Sequence, residues 1–154
     1  MSFPGEKKVL HCLKYKRPTM LKFSELKTGD YVFADNDGDK KRGEVTNVNA
    51  DEKQVCIDTG AQSFWYEMNQ VSAVPINDIE LTNLKFHKHT NDDGTIKYSK
   101  GAFRILISKD SDFSRMEIWY RDETRHIVTP LDLHQLQNHY YEMTKVHLND
   151  ASFD

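Results

Sequence analysis

Histidine side chains offer the most direct route to chemistry in this chain, and His87 and His89 have the most suggestive spacing. The two alternate on a predicted strand, so both side chains should lie on one face of a sheet. Joined by His126, or by His134 from a predicted C-terminal helix, they would approximate a three-histidine metal site. The chain contains seven histidines, so such pairs arise by chance, and nothing in the sequence shows that the side chains converge. A metal-dependent enzyme is therefore our third-ranked hypothesis, and no metal ligand is assigned.

An acidic segment early in the chain resembles part of an EF-hand calcium loop. Its members are Asp35, Asp37, Gly38 and Glu44. Alignment with the EF-hand pattern would put Phe33 at the first ligand position, and the flanking segments are predicted strands rather than helices. An acidic hairpin tip is the better interpretation, with Gly38 supplying the positive φ angle that such a turn requires.

Residues suited to catalysis are few and isolated. The sequence contains no glycine-rich phosphate loop and no serine in a nucleophile elbow. Cys12 lies in a basic stretch, as reactive thiols often do, but it has no identifiable orienting partner. Glu117 alternates with apolar residues on a predicted strand and forms no evident acid–base pair. We therefore predict no catalytic residues and no cofactor, and we expect that the protein is not an enzyme.

The residues that could bind a partner depend on a succession of short strands predicted over residues 21–76. Five strands of roughly four to six residues, at roughly ten-residue spacing, are typical of a small barrel or sandwich. Closing such a sheet removes the exposed edges that would otherwise pair with other chains. We predict a small SH3-like β-barrel here, a fold whose members mostly bind other molecules.

Aromatic residues on two of these strands are candidate binding residues. Tyr31 and Phe33 share one face of the first strand. On the fourth strand, Trp65 lies on the face opposite to Phe64 and Tyr66. In SH3-like barrels such rings can form a peptide groove or a cage, and beside a basic groove they can stack on unpaired bases. The alternative is that about half of them fill the barrel interior, with Trp65 expected to be the most exposed.

After Pro75 the pattern changes, and residues 77–148 are predicted to form a ββββα domain. Its strands form an antiparallel meander whose alternating apolar residues face one C-terminal helix. Thr129 is expected at the N-cap of this helix and Pro130 at its first helical position. An apolar stripe comprises Leu133, Leu136, Tyr140 and Met143. The predicted fold class is α+β: a small SH3-like β-barrel followed by an antiparallel β-meander covered by one C-terminal helix.

Charge is distributed unevenly along the chain. The formal net charge is −3, yet the first 28 residues hold seven lysines or arginines and only two acidic residues. A basic arm over residues 1–20, with Lys14, Lys16 and Arg17 as candidate binding residues, suits contact with nucleic acid or an acidic protein surface. The alternative is a solvated arm that keeps the chain soluble. Residues 149–154 are predicted to form a polar tail.

Length and composition exclude several classes of protein. With 154 residues, of which 11% are aromatic, the chain can bury a core without cross-links. No apolar stretch approaches the roughly 20 residues that cross a bilayer, and the N-terminus lacks the pattern of a secretory signal. Its two cysteines do not form a disulfide framework. These features predict a cytoplasmic protein without a membrane partner.

Two segments resemble an uncharacterised family. One runs from Val74 to Thr82, and the other is the His-Gln-Leu-Gln-Asn run at residues 134–138, followed by an aromatic pair and by Met143. Together they are similar to proteins of phages, prophages and mobile elements of Bacteroides-group bacteria, over roughly residues 26–148. The chain departs from the family pattern in its basic arm and at His139. The resemblance implies a phage or mobile-element accessory protein that acts on a host component, and it assigns no functional residue.

Three functional hypotheses follow. His134 and Asn138 are four residues apart on the predicted helix, so they form a candidate hydrogen-bonding patch, unless they bond to the meander or to water. Our preferred hypothesis is a non-catalytic accessory protein that binds a host protein, for example as a counter-defence inhibitor, through the barrel aromatics or the outer face of this helix. The second is a nucleic-acid-binding protein whose basic arm holds phosphates while Trp65 or Tyr66 stacks on bases. The third is the metal-dependent enzyme.

Overall fold

The computed structural model describes residues 21–148, which form two antiparallel β-sheets of five strands and two α-helices. The first sheet contains β1 (Tyr31–Asn36), β2 (Asp39–Asn49), β3 (Gln54–Asp58), β4 (Ser63–Glu67) and β5 (Val71–Ala73). The second contains β6 (His87–Thr90), β7 (Ile96–Lys100), β8 (Phe103–Ile107), β9 (Met116–Tyr120) and β10 (Glu123–Ile127). Helix α1 spans Asp78–Asn83, helix α2 spans Leu133–Thr144, and 3-10 turns lie at Phe23–Glu25 and Met68–Gln70. The α+β class is confirmed. No helix in this part of the chain is long and apolar enough to cross a membrane.

The first sheet has the strand order β4-β3-β2-β1-β5. Among the described residues its outer strands, β4 and β5, each pair with one neighbour, so the sheet is open and does not close into a barrel. A two-residue turn joins β1 to β2, and its residues Asp37 and Gly38 have φ angles of 53° and 88°. Two consecutive positive φ angles are the geometry that fits the right-handed twist of a hairpin. The left-handed position expected at Gly38 is thus confirmed.

Gly43 occupies a buried position on β2 that has no room for a side chain. A Cβ atom there would lie 2.6 Å from Cγ2 of Ile57 and 2.8 Å from the carbonyl oxygen of Asp58. Because the second obstacle is backbone, the strand itself must move. We expect Gly43→Ala to lower the free energy of unfolding by about 1–3 kcal/mol, measured by urea denaturation. Lys41→Ala, on an exposed part of the same strand, is the control, and equal stability of the two variants would contradict this account.

The second sheet has the strand order β10-β9-β8-β7-β6. It contains five strands, one more than the predicted ββββα pattern, and the edge strand β6 is the predicted strand that carries His87 and His89. Burial alternates strictly along β7 and β8, as expected for a sheet with one face in the core. The predicted apolar stripe of α2 is confirmed. Its buried members are Leu133, Leu136, Tyr140 and Met143.

Helix α2 begins later than the sequence predicts. Its N-cap is Asp132, which forms a capping box with Gln135. The Asp132 side chain accepts a hydrogen bond from the Gln135 N–H, and the Gln135 side chain accepts one from the Asp132 N–H. Asp132 also forms an isolated β-bridge with Pro75, which holds it in an extended conformation. Thr129 and Pro130 therefore precede the helix, and their predicted roles as N-cap and first helical residue are wrong. A tertiary contact decides where the helix starts.

Strand β1 lies between the two hydrophobic clusters of the molecule. Val32 and Ala34 point into the first cluster, which fills the first sheet. Tyr31 and Phe33, on the opposite face of β1, pack against the second cluster, between the second sheet and α2. Val74 also belongs to that second cluster. The two halves of the chain thus share a packed interface, and their division into domains at residues 76 and 77 stays a prediction.

Candidate functional site

Four strand edges bound the two sheets of residues 21–148, and β4 differs from the other three. Strand β5 has only three residues and precedes Pro75, β6 carries Lys88 between two histidines, and β10 begins with Glu123. Shortness, proline and charge are the devices that keep exposed strand edges from pairing with other chains. The first four residues of β4 carry none of them. No strand of the part of the chain that the structure describes covers this edge, so it could accept an incoming strand.

Phe64 and Trp65 project from opposite faces of β4. Phe64 is 45% exposed and Trp65 is 49% exposed, which confirms the exposure expected for Trp65. Trp65 pairs across the sheet with the buried Cys56, and the Phe64 ring packs edge-on against Tyr66 with a centroid distance of 6.5 Å. Considering residues 21–148 alone, an incoming strand would find the outward backbone groups of residues 63–66 flanked by one aromatic ring on each side, whereas the Glu67 N–H already bonds to Oε1 of Gln70. We call this feature, residues 63–67 with both exposed rings, the β4 edge.

Tyr66, a predicted binding residue, is buried. It is 2% exposed, and its hydroxyl accepts a hydrogen bond from Nδ2 of Asn36 at 3.0 Å. Its cross-strand neighbour is Val55, which also belongs to the first hydrophobic cluster. Tyr66 therefore fills the core of the first sheet, and its ring does not face a partner.

Tyr31 and Phe33 share one face of β1 as predicted, but that face packs on the second cluster. The Arg42 guanidinium lies 4.4 Å from the centroid of the Tyr31 ring, and Nζ of Lys40 lies 5.6 Å from that of Phe33. Arg42 also donates two hydrogen bonds to the Glu80 carboxylate of α1, at 3.2 and 2.7 Å. These two rings join the halves of the molecule and do not line an open groove.

The two members of the predicted helix patch differ in burial. His134 is 1% exposed, and its Nε2 lies 3.0 Å from Oε1 of Glu25 in the segment that precedes β1. Asn138 is half-buried and lines a cavity of about 230 Å³ with Glu25 and Glu142. His134 is thus a buried contact between α2 and the first half of the chain, not part of a surface patch.

Gln137 is the residue of this helix that the sequence analysis did not single out. Its side chain is buried, donates a hydrogen bond to the Gly29 carbonyl at 2.8 Å and accepts one from the Tyr31 N–H at 2.9 Å. The polar side chains at 134 and 137 therefore bond to the first half of the chain. A signal for this was present, because residues three apart on a helix share a face and these two flank the apolar stripe.

Arg125 braces β10 against α2. Its Nη1 donates to Nδ1 of His139 and to Oε1 of Glu142, each at 2.8 Å. Burial lowers the pKa of His139, and the positive charge of Arg125 lowers it further. The pKa of Glu142 is lowered in turn by its hydrogen bond from Arg125. His139 therefore acts as a neutral acceptor in a structural contact.

The histidines considered for a metal site do not converge. The β6–β7 register confirms that His87 and His89 lie on one face of the second sheet. His126 lies on β10, at the opposite edge of that sheet, four strand spacings or about 19 Å away. His134 is buried on α2. Within residues 21–148, no group of three or more histidine, cysteine or acidic side chains could hold a metal ion.

The acidic hairpin tip lacks the geometry of a calcium loop. The Asp35 carboxylate accepts a hydrogen bond from the Gly38 N–H at 2.8 Å, which closes the turn. The strand register places Glu44 opposite Tyr31, about 13 Å along the strand from the level of Asp35. Glu44 therefore cannot complete a ligand set at the turn.

The candidates of the N-terminal arm, Lys14, Lys16, Arg17 and Cys12, lie outside the described residues, as does the polar tail at 149–154.

Comparison with known proteins assigns no further role. No protein-family model, curated protein or solved structure matches this chain. What the molecule can do must therefore be argued from the geometry of its own residues.

Proposed function

We propose that this protein is a non-catalytic binding protein that captures an extended segment of a protein partner along the β4 edge. The partner adds a strand beside β4, so that its backbone bonds to the unpaired N–H and C=O groups of that edge. Its side chains alternate between the two faces and contact Phe64 on one and Trp65 on the other. The observation that carries this proposal is the exposure of both rings on an edge strand whose first four residues include no charge and no proline.

The two kinds of contact have different consequences for recognition. Backbone hydrogen bonds along a strand edge supply affinity for any extended segment, whereas contacts to alternate side chains select its sequence. Tryptophan is enriched among the residues that dominate binding energy in protein interfaces. Trp65 is therefore the anchor of the proposed interface, and Phe64 supports it from the other face.

We also propose that the first sheet is an SH3-like barrel that is only partly closed. Three features support this: the strand order β4-β3-β2-β1-β5, the 3-10 turn at Met68–Gln70 just before β5, and the shift of register in β2 between Val45 and Asn47. A register shift of this kind bends a long strand and increases its twist. A partly closed barrel leaves β4 accessible.

The resemblance of residues 134–138 to mobile-element proteins suggests the biological context in which this binding would act. We propose a phage or mobile-element accessory protein whose partner is a host protein of the bacterial cytoplasm. A host defence complex is one target that would suit such a protein, by analogy with its class alone.

Replacing Trp65 with lysine tests this proposal, because a charge on an edge strand opposes strand addition. Wild-type protein and the Trp65→Lys variant are immobilised in parallel and incubated with lysate of a Bacteroides-group bacterium. The proteins retained by each are quantified by mass spectrometry. We expect the specific partner to fall at least about tenfold in the Trp65→Lys sample, as for the loss of an interface anchor. Peptides of that partner with methylated backbone nitrogens should lose binding only where the N–H faces β4.

Val48→Lys is the matched control, since Val48 is 43% exposed on β2, two strands away from β4. It should retain the partner at the wild-type level. Equal recovery with Trp65→Lys would contradict the proposal. A wild-type dimer in analytical ultracentrifugation that dissociates in Trp65→Lys would also contradict it, because the edge would then bind a second copy of the chain.

A further inference from the structure

The second sheet has a face that the two hydrophobic clusters do not use. We call it the outer face; it is defined by the strand register and lies opposite the face that packs against α2. Its first row is His89, Lys97, Leu106, Glu117 and His126. Its second row is His87, Ser99, Arg104, Trp119 and Thr124. None of these side chains belongs to either cluster. The face therefore exposes aromatic and basic groups on a rigid, regular platform.

Trp119 and Arg104 form the centre of the outer face. They are direct cross-strand neighbours, and the Arg104 guanidinium lies 5.8 Å from the centroid of the Trp119 ring. Trp119 is 37% exposed, and its Nε1 donates to Oε1 of Glu117 at 3.1 Å, which fixes the orientation of the ring. A planar ring held in this way beside a guanidinium is a surface on which a second π-system can stack.

Two basic side chains at the centre of the outer face, Lys97 and Arg104, have no acidic partner among residues 21–148. Neither Lys97 nor Arg104 forms an ion pair there, and Nε of Arg104 is buried without a hydrogen-bond acceptor. A buried donor without an acceptor is uncommon and costs free energy. The face carries one carboxylate, Glu117, which bonds to Trp119 and lies 3.3 Å from Nδ1 of His126. The unpaired charge at the centre of the face is thus positive.

One depression lies on this face, and a second, lined mainly by residues outside the face, adjoins it at the ends of the strands. One, of about 170 Å³, is lined by Lys97, Arg104, Leu106 and Trp119. The other, of about 300 Å³, includes Leu106, Glu117 and His126 in its lining. Leu106 is common to both, so an extended chain could occupy the two in succession. An apolar and aromatic floor with cations at one side matches the alternation of flat bases and phosphates in a single strand.

We propose that the outer face binds single-stranded nucleic acid, with an unpaired base stacked on Trp119 and with phosphates contacted by Arg104 and Lys97. A duplex hides its base faces, so a stacking platform selects unpaired strands. This site is separate from the β4 edge, and its success or failure is independent of the function proposed above. It also differs from a site on the N-terminal arm and the first-sheet aromatics, because Trp119 lies in the second sheet.

Fluorescence anisotropy with labelled oligonucleotides tests this site. The probes are oligothymidine and oligouridine of about 20 nucleotides and a duplex of equal length, a span sufficient for a platform of this kind. We expect Trp119→Ala to weaken binding of the single strands by about 5- to 100-fold, the range measured when a base-stacking ring is removed. Trp65→Ala is the matched control and should leave the affinity unchanged. The two single-stranded probes show whether the face prefers DNA or RNA.

Charge-changing variants, with the affinity measured over a range of salt concentrations, give a second test. Removing positive and negative charges should change binding in opposite directions. Replacing both Lys97 and Arg104 with alanine should reduce the slope of log affinity against log salt by roughly 1.4, since each phosphate contact on a single strand contributes roughly 0.7. Glu117→Gln should tighten binding, because it removes the one negative charge and keeps an acceptor for Trp119. A purely structural role of these residues would not raise the affinity in any variant.

The two tryptophans of the chain allow a direct test of stacking in the folded protein. In Trp65→Phe, Trp119 is the only tryptophan, and we expect oligothymidine to quench its fluorescence. In Trp119→Phe, Trp65 is the only tryptophan and should not be quenched. No binding at low salt, equal or tighter binding of the duplex, or unchanged affinity in Trp119→Ala would each overturn the proposal. Binding lost only on replacement of Lys14, Lys16 and Arg17 would overturn it as well, because it would assign the interaction to the arm.

Discussion

Gln137→Leu is expected to lower the free energy of unfolding by about 3 kcal/mol, since it removes the side-chain hydrogen bonds to the buried Gly29 carbonyl and to the half-buried Tyr31 N–H. The Gln137 side chain is 3% exposed and bonds both the Gly29 carbonyl and the Tyr31 N–H. Leucine has a similar volume and no polar atoms, so the loss would come from the hydrogen bonds and not from a cavity. Urea denaturation followed by circular dichroism measures the change.

Asn138→Ala is the control for this prediction. Asn138 is the next residue of α2, half-buried, and makes no hydrogen bond to a described residue. Its replacement should change stability by no more than about 0.5 kcal/mol. A Gln137→Leu protein as stable as this control would show that the contact between α2 and the start of β1 contributes nothing. The experiment also tests the proposed domain division, because independent domains would unfold in two transitions.

Lys27→Met is expected to destabilise the protein by about 2 kcal/mol at pH 7, and by less at pH 4. Asp30 is fully buried just before β1, and its carboxylate accepts hydrogen bonds from the backbone N–H and the ammonium of Lys27. Burial raises the pKa of Asp30, while Lys27 and, more weakly, the nearby His134 lower it. Without the ammonium, an ionised Asp30 would be buried with no cation bonded to it.

The direction of the pH dependence follows from the raised pKa of Asp30. A carboxyl group whose pKa is higher in the folded state favours folding when it is protonated, and this contribution is lost as the pH rises through the folded-state pKa. Removing Lys27 raises that pKa further, so the variant should lose stability more steeply between pH 4 and pH 7 than the wild type. Urea denaturation at several pH values measures this slope.

Two variants make this prediction specific. Lys27→Met combined with Asp30→Asn should recover part of the stability at pH 7 and lose the added pH dependence, because no buried charge remains. Lys22→Met, which replaces an exposed lysine without an ion pair to a described residue, should match the wild type. A pH-independent loss in Lys27→Met would show that the packing of its side chain, and not its charge, stabilises this segment.

Local patterns were sufficient to predict much of the secondary structure. The alternation along β7 and β8 and the three- and four-residue spacing in α2 reflect the geometry of a strand and a helix, in which one face is buried. The turn at Gly38 could be predicted because only certain residues tolerate two successive positive φ angles. The exposure of Trp65 was expected because the large tryptophan side chain is rarely buried completely.

The roles of the polar residues in the His-Gln-Leu-Gln-Asn run could not be predicted in the same way. Spacing places His134 and Gln137 on one face of α2, but it does not say what lies against that face. The contact with Glu25 and Gly29 joins residues more than 100 positions apart in the chain. Only the packing of the two sheets brings these groups together.

The chain's own order of residues determined which segments become strands and helices, because those choices depend on neighbours within a few positions. The tertiary structure alone decided that Tyr31 and Phe33 are half-buried, that His126 lies far from His87, and that no other strand within residues 21–148 covers the β4 edge. It also brought Arg104 beside Trp119, the pair on which the proposed nucleic-acid site depends. The physical reason is the same for all of them: side chains distant in sequence meet only where sheet pairing and burial of apolar surface place them.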